Sequence, residues 1–305
     1  MGSGGVGGFY GGRLAHAGYD VSFVARGSHL AAMQQHGLLL ENDAQGDIQL
    51  PHVSVTGDPA TIGVVDAVLI AVKLWDTEAA GRAVKPLVGP HTAVVSLQNG
   101  VTKDDILRRE LDPSNVIGGV SYLATCIARP GVIRQTGTMQ RCVVGEYDGQ
   151  RSARVEQLVE AMCRAGIQAE LSTDIRQSLW EKYVFLVGLS GATATMRSTL
   201  GPIREHPQTR AFLLDLMKET VAVGRAQGVN LPDDYGEQRL AFADSLPYDM
   251  TSSMHHDLDR GNPLEVDWLA GGVVQFGQEL GIPTPANRAV CDILALHAGR
   301  RATRQ

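Results

Sequence analysis

Gly2-Ser3-Gly4-Gly5-Val6-Gly7 stands at the start of the chain and decides its fold. The spacing is G-x-G-x-x-G. It runs into a helical stretch from Phe9 to Ala17, closed by Gly18, and then into the β-branched run Val21–Val24. Small residues in such a turn let the backbone bend sharply and approach a pyrophosphate, whose charge is stabilised by the free amides and dipole of the helix N-terminus. By itself the motif also fits a flexible glycine-rich terminus. The helix, glycine and strand that follow select dinucleotide binding, with Gly2, Gly4, Gly5, Val6 and Gly7 as the cofactor turn. In motifs of this kind the glycines follow a buried strand, whereas here Met1 directly precedes them. An apolar strand of about 5–6 residues is therefore expected upstream, with Met1 as its last residue. Without it the sheet has an unfilled central slot, and weak dinucleotide binding and poor stability are expected.

Outward from the turn, the first ~150 residues alternate short β-branched runs with helical stretches, as one domain of this size would. The runs are Val21–Val24, Ala67–Val72, Ala93–Leu97, Val116–Val120 and a pair at Val132–Gln135 and Arg141–Val144. Strands alternating with helices indicate βαβ units and a mostly parallel sheet. From about residue 153 helical periodicity takes over, in segments near 153–165, 173–195, 208–227, 233–245, 251–260, 264–280 and 284–298. The expected fold is α/β: an N-terminal Rossmann-type domain over 1–170, its first strand apparently truncated, and an all-helical domain over 171–305.

Composition excludes several classes. The net charge of −6 divides evenly between the two halves, so neither carries a basic field for nucleic acid. The basic cluster Arg300, Arg301 and Arg304 reads as a solvated tail. The longest apolar run, Val64 to Val72, is broken by Asp66 and falls far short of the ~18–20 residues of a bilayer span. Cys126, Cys142, Cys163 and Cys291 show no CxxC spacing, which argues against a zinc site or disulfide framework and fits a cytoplasmic protein. His255 and His256 are adjacent, which on a helix directs them about 100° apart rather than to one metal.

Candidate site residues follow from position. At the end of the second strand, where an acid would bind the ribose of NAD, the chain reads Val24-Ala25-Arg26-Gly27-Ser28. A cation there favours NADP, with Arg26 on the 2′-phosphate; the alternative is a solvated arginine. Lys73 and Asn99 end two further strands, where an open parallel sheet binds ligands; the alternatives are a solvent-facing lysine and a plain Asn-Gly turn. Ile175, Leu179, Lys182, Leu186 and Ser190 share one helix face. A lysine on that stripe is either desolvated, and so a better proton donor near neutral pH, or extended along its edge into water. Glu265 reads as N3 of a capping box opened by Asn262, and Ser252-Ser253 as a helix cap.

Taken together, these residues resemble the ketopantoate reductase (2-dehydropantoate 2-reductase) family. The resemblance spans the chain: the glycine turn, Phe23–Gly27, Ala71-Val72-Lys73, Leu97–Val101, Leu179-Trp180-Glu181-Lys182, Ser252-Ser253-Met254 with Asp257, and Asn262–Asp267. It implies NADPH-dependent reduction of a 2-keto acid, in that family ketopantoate to (R)-pantoate on the route to pantothenate and coenzyme A. By the same resemblance Lys182 is the general acid, Glu265 anchors the substrate hydroxyl, Asn99 orients substrate and nicotinamide, and Ser253 contacts the substrate carboxylate. A homodimer is likewise a reading from the family. The chain departs from the pattern at Leu186 and Ser190, where well-studied members carry asparagines near the substrate. A paralogue reducing another 2-keto acid is thus the alternative, and a non-catalytic NADP sensor a third reading; joint retention of Lys182 and Glu265 argues against the latter.

Overall fold

The computed structural model describes residues 1–43 and 45–299; Arg300, Arg301 and Arg304 lie outside the described residues. The chain forms two compact units, Met1–Asn99 with Lys103–Ser178, and Gly100–Thr102 with Leu179–Gln305.

In the first unit the elements run α1 (Gly5–His16), β1 (Ser22–Val24), α2 (Gly27–His36), β2 (Leu38–Asn42), β3 (Ile48–Leu50), β4 (Ser54–Thr56), β5 (Ala67–Ile70), α3 (Thr77–Ala83), β6 (Ala93–Ser96), α4 (Lys103–Glu110), β7 (Val116–Arg129), β8 (Val132–Gly145), α5 (Ala153–Arg164) and β9 (Gln168–Leu171). β6 is buried at all four positions and pairs in parallel with β5 and β7. A parallel strand covered on both faces needs such an unbroken apolar run. Val94 packs with Val68, Ile70, Val84 and Leu107 on one face, and Val95 with Phe9, Tyr10, Ile117 and Ile133 on the other.

β1 pairs in parallel with β4, apart from the seven-stranded sheet that ends at β5. Between β1 and β5 lies the start of the chain. The nitrogen of Met1 donates to Leu69 O (2.7 Å), Ala71 N donates to Met1 O (2.9 Å), and the amides of Gly2 and Ser3 both donate to Val24 O (3.2 and 3.1 Å). The glycine turn is therefore held by backbone hydrogen bonds from both sides.

The sequence reading divided β8 in two and missed the short strands β2, β3, β4 and β9. β8 is one strand with a bulge: Leu123 faces Gln140 while Thr125 faces Gln135, and Gln135 Nε2 closes the bulge on Met139 O (3.0 Å). The intervening Thr136-Gly137-Thr138 carries no strand-like pattern, which is why the sequence suggested two pieces.

The second unit is helical. α6 (Ile175–Met196) begins in the first unit and continues into the second, followed by α7 (Leu200–Glu205), α8 (Pro207–Ala226), α9 (Tyr235–Asp244), α10 (Ser253–Asp259), α11 (Ala270–Leu280) and α12 (Pro285–Ala298). Trp180, Tyr183, Val184 and Val187 of α6 pack with Leu213, Leu216 and Met217 of α8 and with Val273 and Val290. Apolar residues on several sides make α6 the central helix of this unit rather than a surface one. Among the described residues no helix is long and apolar enough to cross a membrane.

Candidate active site

The glycines of the turn differ in what their surroundings allow. Gly2 has φ +87°, and a Cβ there would lie 2.7 Å from Val72 Cγ1 and 2.8 Å from Val72 N, so neither its conformation nor its surroundings admit a side chain. A Cβ on Gly7 would strike the carbonyl oxygen of Gly2, which is backbone and cannot move aside. Gly5 is similarly close-packed, with Thr125 O 2.7 Å from its would-be Cβ. Gly4 is different. Its φ is −75°, which any residue adopts, and a Cβ there meets nothing within 4 Å. The protein's own packing does not require glycine at that position, where the backbone lies open at the N-cap of α1, and the helix has no side-chain cap and no acidic residue in its first turn. These features fit a dinucleotide pyrophosphate, which would be held by the amides of the Gly4–Gly7 turn.

Three more candidates lie at strand ends of this unit. Arg26 caps α2 after β1, and Nη2 of its exposed side chain pairs with Asp76 Oδ2 at 2.8 Å. Asp76 lies after β5, 50 positions from Arg26, and sequence distance concealed the pairing. Lys73 follows β5, exposed, with its ammonium 5.7 Å from the centre of the Trp75 ring. Half-buried Asn99 follows β6, ahead of Gly100 with φ +80°.

The Lys73 and Asn99 loops are joined by a buried chain of hydrogen bonds. Ser96 Oγ donates to Gln98 Oε1 (2.9 Å), Gln98 Nε2 to Thr77 Oγ1 (2.8 Å), and Thr77 Oγ1 to Leu74 O (2.7 Å). The fully buried Lys103 donates to Ser96 O and to Gly119 O (2.8 Å), tying the last residue of β6 to the first half of β7. Burial pushes the Lys103 ammonium down and the neighbouring Asp104 carboxyl up from their ordinary values, and Tyr147 OH donates to Asp104 Oδ2 at 2.6 Å. Ser96, Thr77 and Lys103 are not legible as a network from sequence, because a polar residue inside an apolar pattern carries no local sign of its partner.

In the second unit Lys182 is half-buried on α6. Its neighbour Tyr183 is buried and donates to Leu269 O (2.6 Å), fixing the turn that follows Glu265. That turn overturns the capping-box reading. Residues 262–265 are not helical; Asn262 instead closes α10 through its amide on Asp257 O (2.8 Å), and Glu265 O accepts from Trp268 N and Leu269 N (both 3.1 Å). Glu265 is 8% exposed and α11 begins only at Ala270. Ser252 caps α10 as expected, its Oγ accepting from His255 N (3.1 Å), and shares a 2.8 Å hydrogen bond with Thr193 of α6. Ser253 is the exposed first residue of α10. Lys182 stands on α6, while Ser252, the neighbour of Ser253, and Leu269, four residues after Glu265, bond to α6 through Thr193 and Tyr183.

A Rossmann-type unit with an open glycine turn, followed by a helical unit that carries Lys182 on a helix and a buried Glu265, is the architecture of a two-domain oxidoreductase. The sequence model described as "Ketopantoate reductase PanE/ApbA" matches residues 1–149, and that described as "Ketopantoate reductase PanE/ApbA C terminal" matches residues 174–298. The chain belongs to the ketopantoate reductase family. It is 34% identical to a 2-dehydropantoate 2-reductase of Mesorhizobium japonicum, over 95% of this chain and 94% of that one. A crystal structure of a PanE/ApbA family ketopantoate reductase from Ralstonia eutropha JMP134 superposes with a TM-score of 0.89 at 36% identity, covering 98% and 97% of the two chains. A ternary structure of D-mandelate dehydrogenase with NADH and anilino(oxo)acetate shares the fold, with a TM-score of 0.88 at 17% identity over 97% and 96%.

Proposed function

We propose that the protein reduces ketopantoate to (R)-pantoate with NADPH. The observation that carries the cofactor half is Gly4, where an ordinary φ and empty space around the would-be Cβ leave the backbone at the N-terminus of α1 open to a ligand. Arg26, at the end of β1 where an NAD-binding acid would stand, supports NADP, with Asp76 as its partner when the 2′-phosphate is absent. Gly2, Gly4, Gly5, Val6 and Gly7 hold the pyrophosphate, and Lys73 and Asn99 lie on the loops that follow β5 and β6. When bound, the reduced nicotinamide supplies the hydride for the keto carbon.

Lys182 gives its Nζ proton to the carbonyl oxygen as that oxygen becomes an alkoxide, and its positive charge stabilises the negative charge that develops there. Glu265 accepts a hydrogen bond from the substrate hydroxyl, Asn99 orients the carbonyl, and Ser253 donates to the carboxylate. The four free cysteines suit a reducing cytoplasm.

A second substrate reading rests on one specific pair. Leu186 offers no amide one turn beyond Lys182, and a turn further the buried Ser190 Oγ has no hydrogen-bond partner. A more apolar 2-keto acid suits such a lining. A panel of keto acids assayed with NADPH and NADH in parallel tests both readings: preferred turnover of ketopantoate with NADPH supports the first, and turnover of a different keto acid alone replaces it with the second.

A further inference from the structure

We propose that His29, a residue outside the glycine motif, is a positioning residue of the cofactor turn, its neutral imidazole clamping the carbonyl of Ser3 to the amide of Gly131. The proposal rests on the reading of that turn as the dinucleotide site. His29 lies on α2 and is 8% exposed. Its Nε2 is 2.8 Å from Ser3 O, and Gly131 N donates to its Nδ1 at 3.0 Å. A carbonyl oxygen only accepts and an amide N–H only donates, so one protonation state satisfies both: hydrogen on Nε2, lone pair on Nδ1. The other tautomer loses both bonds, and the imidazolium turns a donor toward the Gly131 amide. Ser3 is the first variable residue of the motif and is itself 5% exposed, with its amide and hydroxyl both committed to Val24 O at 3.1 Å. Gly131 forms the turn between β7 and β8 with φ +79°. The imidazole therefore joins the cofactor turn to a hairpin more than a hundred residues away.

Charged groups nearby are engaged elsewhere. Arg26, the N-cap of the helix that bears His29, pairs with Asp76, while Arg129 and Arg134 of the hairpin pair with Glu41. His36 lies at the far end of α2, and among the described residues His29 forms no ion pair. Burial holds the imidazole below the ordinary histidine value of about 6.5. The folded chain thus binds this proton less readily than the unfolded one. The clamp contributes stability that is present above about pH 6.5 and lost as pH falls below it.

The test combines ¹⁵N imidazole shifts of the unmodified protein between pH 8 and 5 with fluorescence titration of NADPH at pH 8. The titration compares the wild type with His29→Leu and His29→Gln. The Nε2–H tautomer is expected, titrating below pH 6.5. Leucine, which removes both hydrogen bonds of the clamp, should raise the NADPH Kd about tenfold, with the keto acid KM unchanged. Glutamine, which can both donate and accept, should bring Kd back to within about threefold of wild type. An Nδ1–H or protonated ring at pH 7 overturns the proposal, and this measurement alone decides if the leucine variant does not fold. Equal NADPH affinity of wild type and His29→Leu overturns the proposal while leaving the dinucleotide site standing. A wild type that binds neither NADPH nor NADH overturns that site and the proposal with it.

Discussion

Lys182 is one ammonium at a half-buried position, and its role separates cleanly from folding. Lys182→Ala should lower the single-turnover hydride-transfer rate by about 10²–10⁴-fold, the range for a positioned general acid, with NADPH Kd and melting temperature near wild type. Stopped-flow nicotinamide absorbance reads this directly; near-normal turnover would remove the residue from the chemistry. Arg26 and Asp76 make opposite predictions from one contact. Arg26→Ala should weaken NADPH about tenfold or more, a charge-assisted hydrogen bond being lost, while leaving NADH unchanged. Asp76→Asn frees the guanidinium and should tighten NADPH. Parallel KM values for the two nucleotides decide, and equal shifts for both would deny Arg26 the 2′-phosphate.

At the scale of elements, the turn before α1 contains glycines with distinct duties, which two substitutions separate. Gly4→Ala meets no neighbour and keeps an ordinary φ, so its melting temperature should stay within a few degrees while NADPH binding falls. Gly7→Ala forces a Cβ onto the Gly2 carbonyl and should lower the melting temperature by several degrees, a strain of about 1–3 kcal/mol. Calorimetry with and without NADPH distinguishes them. The motif and its two spacings were legible in the sequence, as was the Ser252 cap, because each is written within a few residues. The capping box at Asn262–Glu265 was misread because Asn262 finds its partner behind it, at Asp257, rather than ahead.

Over the whole molecule, acid stability follows from carboxylates that arginines hold below their usual range. Glu41 is held by Arg134 and Arg129, Glu170 by Arg141, and Asp244 by Arg210. A depressed folded value means stability that is present above the ordinary carboxylate range and lost as pH falls through the folded values. Urea midpoints should therefore fall between about pH 5 and 3, and the drop should shrink in high salt because these pairs are exposed. A midpoint independent of pH over that range would show that the pairs contribute nothing.

By itself the sequence determined the glycine turn, the change from α/β to helical pattern after about residue 153, the family, and the individual candidates Arg26, Lys73, Asn99, Lys182, Ser253 and Glu265. Each rests on a local pattern: a spacing, a periodicity, a residue type at a strand end. Only the tertiary structure decided which partners those residues have. Asp76 reaches Arg26 across 50 positions, Tyr183 fixes the turn after Glu265 from 86 positions away, and His29 bridges Ser3 and Gly131. The short strands β2, β3, β4 and β9 were hidden for the same reason. Three to five residues carry too little periodicity to mark a strand, and it is the neighbouring strand, supplied from elsewhere in the chain, that gives their amides and carbonyls somewhere to bond.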